Sequence, residues 1–344
     1  MRYSIIIPVY NRKDEIKELL ESLVTQSLKD FEVLVVEDGS KDRCEDVVKM
    51  FENTLDIHYY YKENSGPGQS RNYGAERAKG DYFIVLDSDV SLPDFYLQEI
   101  ENELQKQDAD AFGTPDKAND NFTDIQKAIS YSMTSFFTTG GIRGGKKKMD
   151  KFYPRSYSMG VRKDVWQNLG GFAKMRFGED IDFSTRIFKS GYTARLFPNA
   201  YVYHKRRTDF KKFFRQVFNS GIARINLYKK YPETLKIVHL LPAAFTMGVF
   251  LCLLLIFSGI VLMFVGTILG NLLFVLGVLP LLIYSLLIFF NASHIYKSPK
   301  IGFLSVTAAF TQLLGYGLGF CKAWYKRCLK GQDDFTAFDK VFYK

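Results

Sequence analysis

The sequence predicts an α/β fold: a Rossmann-like domain with a mostly parallel sheet, followed by an α-helical membrane region. In the first part of the chain, short Val/Ile-rich runs alternate with amphipathic helical patterns. That alternation is typical of a parallel sheet covered by helices on both faces. In the last third, the 60 residues between Lys236 and Lys297 carry no formal charge, which is long enough for two membrane spans.

Four strand–helix pairs are predicted in order along the polar part of the chain. The predicted strands cover residues 4–9, 31–37, 57–61 and 82–86, and the predicted helices cover 11–25, 41–51, 70–78 and 93–107. Sheets of this kind bind ligands at the carboxyl ends of their strands. The polar residues that directly follow each strand are therefore the candidates for a site.

The charge of the chain is unevenly distributed. The net charge is +9 overall, but it is −4 over residues 1–200, +8 over 201–240 and +5 over 241–344. A mildly acidic main domain argues against nucleic acid as a partner. The four scattered cysteines are typical of a reducing compartment rather than of a disulfide scaffold.

Carboxylates and one arginine follow the predicted strands. Asp38 follows the second strand; it could accept a hydrogen bond from a base or cap the next helix. Asp87 and Asp89 follow the fourth strand, and two carboxylates at this spacing can bind a divalent cation that carries a diphosphate. The same triplet also begins many surface turns. Arg71 could reach a phosphate or pair with a surface acid.

Four motifs occur in order across residues 4–89: SIIIPVYN, VVEDGS, GPGQSRNYG and YFIVLDSD. Together they resemble the family 2 glycosyltransferases, which have a nucleotide-sugar-binding GT-A fold. Farther on, the segments 170–172 (GGF) and 177–182 (FGEDID) resemble the Glu-Asp element on the acceptor side of that family. The resemblance covers about residues 1–205.

The resemblance implies a role for each matching residue. Asp180 would be the catalytic base with Glu179 beside it, although acids at this position could simply stabilise a helix N-terminus. Asp89 would bind Mg²⁺ or Mn²⁺, and His204 could be a further metal ligand or only a polar residue at a strand end. The residues expected to bind the nucleotide sugar are Pro8, Tyr10, Asn11, Asp38, Arg71, Asp87 and Ser88.

The expected reaction moves one sugar from a nucleotide-sugar donor to a hydroxyl and inverts the anomeric carbon. A metal would neutralise the leaving diphosphate, and a carboxylate would remove the proton of the attacking hydroxyl. Processive members of the family carry a Gln-x-x-Arg-Trp element before their membrane helices. Residues 215–219 read RQVFN here and the chain has no Arg-Trp pair, which favours one sugar per acceptor.

Residues 208–231 have the pattern of a basic amphipathic helix. Such a helix could lie in an anionic membrane interface, or it could pack on its own domain. Spans are predicted at about 239–266 and 271–291, and a third membrane segment at 301–321 could span fully or be re-entrant. Within the third segment, Gly315 and Gly319 form a small-xxx-small pair suited to close helix packing.

The cellular location of the protein is predicted from its first residues and from the excess of basic residues over 201–240. The first apolar run is short and is broken at Pro8, so it does not have the pattern of a signal peptide. Together with the positive-inside rule, this predicts an integral protein of the cytoplasmic (inner) membrane with residues 1–236 in the cytoplasm.

The predicted domains are a GT-A domain (1–206), a juxtamembrane helix (207–236), a transmembrane region (237–330) and a polar tail (331–344). The expected partners are a nucleotide-sugar donor, a lipid-linked or glycan acceptor and membrane lipids, in surface polysaccharide or glycolipid synthesis. Two alternatives stay open. The acceptor could be a polyprenyl phosphate, which needs no base, or the chain could be a non-catalytic membrane scaffold that binds nucleotide sugar.

Overall fold

The structure is a computed structural model that describes residues 1–117, 122–139, 152–175 and 177–332. The described residues form two compact units. Of the described residues, the first unit contains 1–117, 152–175 and 177–205, and the second contains 122–139 and 206–332. The predicted polar tail falls outside the described residues except for its first two residues.

The first unit is built on a seven-stranded, mostly parallel sheet. The strands are, in chain order, β1 (Tyr3–Val9), β2 (Phe31–Asp38), β3 (Ile57–Lys62), β4 (Tyr82–Leu86), β5 (Val90–Ser91), β6 (Ala111–Gly113), β7 (Asp116–Lys117), β8 (Ser158–Arg162), β9 (Ala194–Leu196) and β10 (Val202–His204). The large sheet has the order β3-β2-β1-β4-β8-β6-β9, and only β8 runs antiparallel to its neighbours. A small second sheet has the order β5-β10-β7. The predicted fold class is confirmed.

The described residues also form twelve α-helices. They are α1 (Lys13–Val24), α2 (Glu45–Lys49), α3 (Pro67–Ala75), α4 (Tyr96–Lys106), α5 (Asp124–Thr134), α6 (Phe136–Thr139), α7 (Lys163–Leu169), α8 (Glu179–Lys189), α9 (Phe210–Lys230), α10 (Leu241–Phe264), α11 (Ile268–Tyr296) and α12 (Pro299–Trp324). Short 3₁₀ turns lie at Pro232–Thr234 and Ile237–His239, and a π-helical turn follows α12 at Tyr325–Leu329.

Both faces of the large sheet are buried under helices. Ile5 and Ile7 of β1 belong to the core that includes residues of α1, α2 and α4, whereas Ile6 belongs to the core that includes residues of α3, α7 and α8. Every residue of β1, β2 and β4 is buried. This burial on both sides explains why these strands are near-continuous apolar runs in the sequence.

Two helices of this unit differ from their predicted bounds. α3 begins at Pro67 rather than at residue 70, because proline fits the first turn of a helix, where its missing N–H is not needed. α2 covers only Glu45–Lys49 instead of 41–51. The buried carboxylate of Glu37 accepts hydrogen bonds from the Ser40 hydroxyl and, at 2.7 Å, from the backbone N–H of Cys44. These bonds hold the intervening residues in a loop.

The second unit joins the C-terminal helices to the segment 122–139. Ala128 and Ile129 of α5 pack with Ala308 of α12 in one buried apolar cluster. We predicted a single GT-A domain over 1–206, whereas the structure groups this internal segment with the C-terminal helices. The physical reason is that the apolar face of α5 is buried on α12.

Three helices of the second unit are long and apolar enough to cross a membrane, namely α10, α11 and α12. They correspond to the predicted segments 239–266, 271–291 and 301–321. In α12, 44% of the most apolar window is buried, compared with 6% in α10 and 11% in α11. Other helices therefore cover α12, while α10 and α11 present apolar side chains to their surroundings.

The amphipathic helix predicted over 208–231 is α9, and its apolar face packs on α12. Gly221 of α9 lies against the backbone of Tyr316, and Gly319 of α12 lies against the backbone carbonyl of Phe218. The small residues of α12 are thus used for close packing, with α9 as the partner. The sequence left open whether this helix lies in a membrane interface or packs on its own domain. In the structure its apolar face packs on its own domain.

Substituting alanine for Gly319 should destabilise the second unit, because a Cβ there would overlap the Phe218 carbonyl oxygen. Overpacking of this kind costs about 1–3 kcal/mol. Gly248 of α10 is a matched control, since a Cβ there meets nothing within 4 Å. Thermal unfolding of the full chain in one detergent should show a lower melting temperature for Gly319→Ala and no loss for Gly248→Ala. Equal melting temperatures would contradict the close α9–α12 contact.

Candidate active site

The candidate residues lie at the carboxyl edge of the large sheet. β1, β2 and β4 are parallel and in register, with Val9 beside Glu37, so the segments that follow them leave the sheet on the same side. Asp38 is the last residue of β2, and Asp87 directly follows β4. The prediction that these residues share one edge therefore agrees with the parallel register.

Asp87, Asp89 and His204 form a cluster that could hold a metal ion. One ligand atom from each side chain lies within 4.8 Å of the others. His204 is brought there by the small sheet, because β10 pairs with β5 and sets His204 beside Val90. The distance from His204 Nε2 to Asp89 Oδ1 is 3.3 Å.

The donor set of this cluster fits a divalent cation. Two carboxylates and one imidazole are ligands that Mn²⁺ accepts, whereas Mg²⁺ is most often bound by oxygen ligands alone. Burial raises the pKa of Asp89, but the hydrogen bonds and charges of His204 and Arg12 outweigh it and hold that pKa below its ordinary value. Asp89 is therefore an ionised ligand at neutral pH. The Arg12 guanidinium forms an ion pair with its other oxygen, Oδ2.

Arg71 connects the cluster to the Glu-Asp element. Its side chain is 3% exposed; Nη2 donates to Asp87 Oδ1 at 2.6 Å, and Nη1 donates to Glu179 Oε1 at 3.2 Å. The ring of Phe172 lies 5.1 Å from the guanidinium carbon. Arg71 thus has two carboxylate partners within the protein, and a diphosphate or base that reaches it must compete with them.

Glu179 and Asp180 begin α8, directly after Gly178, whose φ of 84° lies in the left-handed region. Burial is the main reason that the pKa of Glu179 is raised to about 7; the charge of Asp180 adds to the shift, and Arg71 opposes it. Asp180 Oδ2 lies 3.2 Å from Arg155 Nε. The two acids therefore have separate arginine partners.

Asp38 holds the loop before α3. Its carboxylate accepts hydrogen bonds from Lys62 Nζ at 2.6 Å, and from the backbone N–H groups of Ser65 and Gly66, both at 2.9 Å. The residue is 2% exposed. In this structure its oxygens are directed at the loop that leads into α3, the helix that carries Arg71.

The remaining predicted residues line the same edge. Asn11 has a φ of 49°; its N–H donates to Ser40 Oγ at 2.7 Å, and its side-chain oxygen accepts from the N–H of Lys41 at 2.9 Å. These bonds tie the segment after β1 to the segment after β2. The other members are Pro8 and Ser88, which are buried, and Tyr10, which is half-buried.

Two arginines of the site were not predicted. Arg12 pairs with Asp89 across 77 positions of sequence. Its position directly after the SIIIPVYN motif was the available signal. Arg155 pairs with Asp180, and nothing in the sequence around it indicated that contact.

The carboxyl edge of this mostly parallel sheet carries an Asp-x-Asp turn, a histidine and a Glu-Asp pair, an arrangement that resembles the catalytic domain of a glycosyltransferase. Residues 4–169 match the model of glycosyl transferase family 2. This part of the chain is a family 2 glycosyltransferase domain, and the resemblance of the sequence motifs is confirmed.

Similar curated proteins align over only part of their length. An uncharacterized glycosyltransferase of Rickettsia typhi is 41% identical over 101 residues, which are 29% of this chain and 30% of that protein. A poly(ribitol-phosphate) beta-glucosyltransferase of Bacillus spizizenii is 41% identical over 95 residues, which are 26% of this chain and 15% of that protein. The chain thus spans less than a third of the length of these relatives.

Among solved structures, a mannosyltransferase is similar over most of both chains. The mannosyltransferase PcManGT from Pyrobaculum calidifontis, in complex with GDP-Man and Mn²⁺, has a TM-score of 0.58 and 16% sequence identity. The similarity covers 95% of this chain and 88% of that chain. At this identity the likeness shows a shared fold.

Proposed function

We propose that this protein is an inverting, metal-dependent, membrane-anchored glycosyltransferase. It moves one sugar from a nucleotide-sugar donor to a hydroxyl of a lipid-linked or glycan acceptor, in the synthesis of a surface polysaccharide or glycolipid. The observation that carries the proposal is the Asp87–Asp89–His204 cluster, which Arg71 joins to Glu179 on the acceptor-side element.

The metal site is assigned to Asp89, with Asp87 and His204 completing the donor set. A Mn²⁺ or Mg²⁺ ion held there would neutralise the charge that develops on the leaving nucleoside diphosphate. Asp87, Asp89 and His204 would hold the cation at the carboxyl edge of the sheet. Asp38 fixes the loop before α3 through its three hydrogen bonds, and Pro8, Tyr10, Asn11 and Ser88 form the neighbouring wall for the nucleoside.

Asp180 is proposed as the base that removes the proton of the attacking hydroxyl. It is more exposed than Glu179, and its Oδ2 lies 3.2 Å from Arg155 Nε. Glu179, whose pKa is raised to about 7, is held against Arg71 in the interior and acts as a positioning residue. With one base and one displacement, the anomeric carbon is inverted.

The apolar helices support a membrane location for the acceptor. α10 and α11 are long enough to cross a bilayer and leave most of their side chains exposed. An enzyme anchored in this way meets lipid-linked acceptors at the membrane surface. We assign it to the cytoplasmic membrane, with the catalytic domain on the cytoplasmic side, because the basic residues around α9 follow the positive-inside rule.

The test is release of nucleoside diphosphate from a panel of nucleotide sugars by the full chain in detergent. The protein is assayed with Mn²⁺, with Mg²⁺ and with EDTA, in the presence and absence of a membrane-lipid extract. We expect release from one donor, dependent on metal and accelerated by the extract. If no donor is turned over and no nucleotide raises the melting temperature, this proposal falls. If a nucleotide sugar raises the melting temperature but is not turned over under any of these conditions, the scaffold alternative replaces the proposal.

A further inference from the structure

α10 and α11 form a hairpin whose two helices are in contact along their length. A Cβ on Gly277 would lie 2.6 Å from the carbonyl oxygen of Cys252, so the backbones touch there. The rings of Phe245 and Tyr284 lie 5.2 Å apart. These pairs fix the level of each residue along a common axis, with Phe245 opposite Tyr284 near the open end of the hairpin.

α12 covers only that open end, which we call the base of the hairpin (residues 241–246 and 284–296). The side chains of the hairpin that are buried all lie in the base; they are Ala243, Thr246, Ile288 and Ala292. Elsewhere in α10 and α11, the buried residues are three glycines, at 259, 270 and 277, which lie against the opposite helix of the hairpin. Helix α12 therefore leaves most of the hairpin uncovered.

The path of α12 crosses the hairpin. Gly302 lies against Phe289 and Ser293 of α11, whereas Gly317 lies against Pro242 of α10. Between these two glycines, α12 advances roughly 22 Å by the rise of an α-helix. Because Phe245 lies opposite Tyr284, Pro242 is level with about residue 287. The contact of Gly302 at 289–293 and the contact of Gly317 at Pro242 are therefore less than about 10 Å apart along the hairpin axis. A third span would instead run beside the other two.

The uncovered part of the hairpin has the length of a bilayer core. Residues 247–264 of α10 advance roughly 27 Å, against a hydrocarbon thickness of about 30 Å. Large apolar side chains are exposed throughout this part, among them Phe250, Leu254 and Phe257. The base, and with it α12, then falls at the boundary between the acyl chains and the head groups.

A charged helix accompanies α12 along its length. Phe213 of α9 shares a cluster with Ala308, Gly221 lies against Phe320, and Asn226 accepts a hydrogen bond from Arg327 beyond the end of α12. The two helices are therefore parallel. α9 carries six Lys and Arg residues and no acid. Placing one Lys or Arg side chain at the centre of a bilayer costs about 2.5–3.5 kcal/mol or more. Helix α12 therefore cannot cross the membrane while α9 is packed along it.

Both ends of α12 carry groups typical of a membrane surface. At its start, Lys300 Nζ lies 2.8 Å from Asp124 of α5. At its end, Trp324 and Tyr325 are 44% and 49% exposed, next to basic residues at 322 and 326. Tryptophan, tyrosine and lysine are enriched where head groups meet water.

We propose that α12 does not cross the membrane but lies along its surface at the base of the α10–α11 hairpin. The chain then crosses twice, and the basic residues from Lys322 to Lys330 lie on the same side as Lys236. This topology satisfies the positive-inside rule, which a third crossing would violate. The inference rests on the proposed membrane anchoring.

The test places single cysteines in the full chain and labels them in sealed membrane vesicles with a maleimide that cannot cross the bilayer. The four native cysteines are first replaced by serine or alanine. Lys236→Cys, Val265→Cys and Lys330→Cys are then compared, since all three positions are exposed. We expect 236 and 330 to react from one side, and 265, at the closed end of the hairpin, to react only from the other side.

The outcomes separate the two proposals. If 265 reacts from the side opposite to 236, but 330 reacts together with 265, then α12 spans the bilayer and the inference is overturned while the anchoring stands. If all three positions react from the same side, no part of the hairpin crosses, and the anchoring proposal falls together with the inference. Labelling after permeabilisation shows in each case that the cysteine is reactive.

Discussion

Replacing Asp89 by asparagine will lower sugar transfer by roughly 100- to 1,000-fold, since metal stabilisation of a leaving group contributes several kcal/mol. Asparagine keeps the shape of the side chain but removes the charge that the cation requires. The variant should also bind Mn²⁺ more weakly, which can be measured without substrate by electron paramagnetic resonance of the free ion. Both effects follow from the position of Asp89 between His204 and Arg12.

The matched control is Asp94→Asn, an exposed aspartate five residues farther on that belongs to no site contact described above. It should leave turnover and Mn²⁺ affinity unchanged. Because Asp89 is buried, the melting temperature of both variants must be measured as well. An Asp89→Asn protein that stays folded and keeps metal-dependent turnover within a few-fold of the original would remove Asp89 from the metal site.

Asp180→Asn is the second substitution with a large expected effect. Loss of a general base typically costs about 10²- to 10⁴-fold in rate, so kcat should fall by that amount while the KM for the donor changes little. Glu179→Gln should act differently. Its carboxylate contacts Arg71, which also contacts Asp87 of the metal cluster, so the expected effect is a higher donor KM.

The control for Asp180 is Asp164→Asn, because Asp164 also lies in the first turn of a helix, α7, and its loss removes a comparable helix-dipole interaction. If Asp180→Asn retains full activity, the attacking group needs no base. A phosphate acceptor has that property, and the result would favour transfer to a polyprenyl phosphate over transfer to a hydroxyl.

The fold and the edge that carries the site could be predicted because buried parallel strands leave a strong pattern. β4 was predicted at its observed bounds, since all five of its residues are apolar and buried. The Asp-x-Asp turn follows directly from the end of that strand. His204 could be predicted only as a candidate, because its place beside Asp89 depends on the pairing of two short strands, β5 and β10.

The partners of the acidic residues could not be predicted, because they are set by tertiary approach. The sequence separates Arg71 from Glu179 by 108 positions, and the residue types alone do not select one arginine for one acid. The orientation of α12 was equally inaccessible. Hydropathy measures the length and polarity of a segment but does not report which helices cover it. The glycines of α12 indicate that another helix packs closely against it, but the sequence does not show which helix that is.

The arginine pairs have a consequence for the order of events at the site. Asp87, Asp89 and Asp180 each already have a guanidinium partner, from Arg71, Arg12 and Arg155. Under the proposed function, a cation bound at Asp87 and Asp89 would weaken the attraction of these carboxylates for Arg71 and Arg12, and both guanidinium groups would then be more available to an anion. The cation and a diphosphate would in that case each raise the affinity for the other, and thermodynamic linkage requires the two increases to be equal.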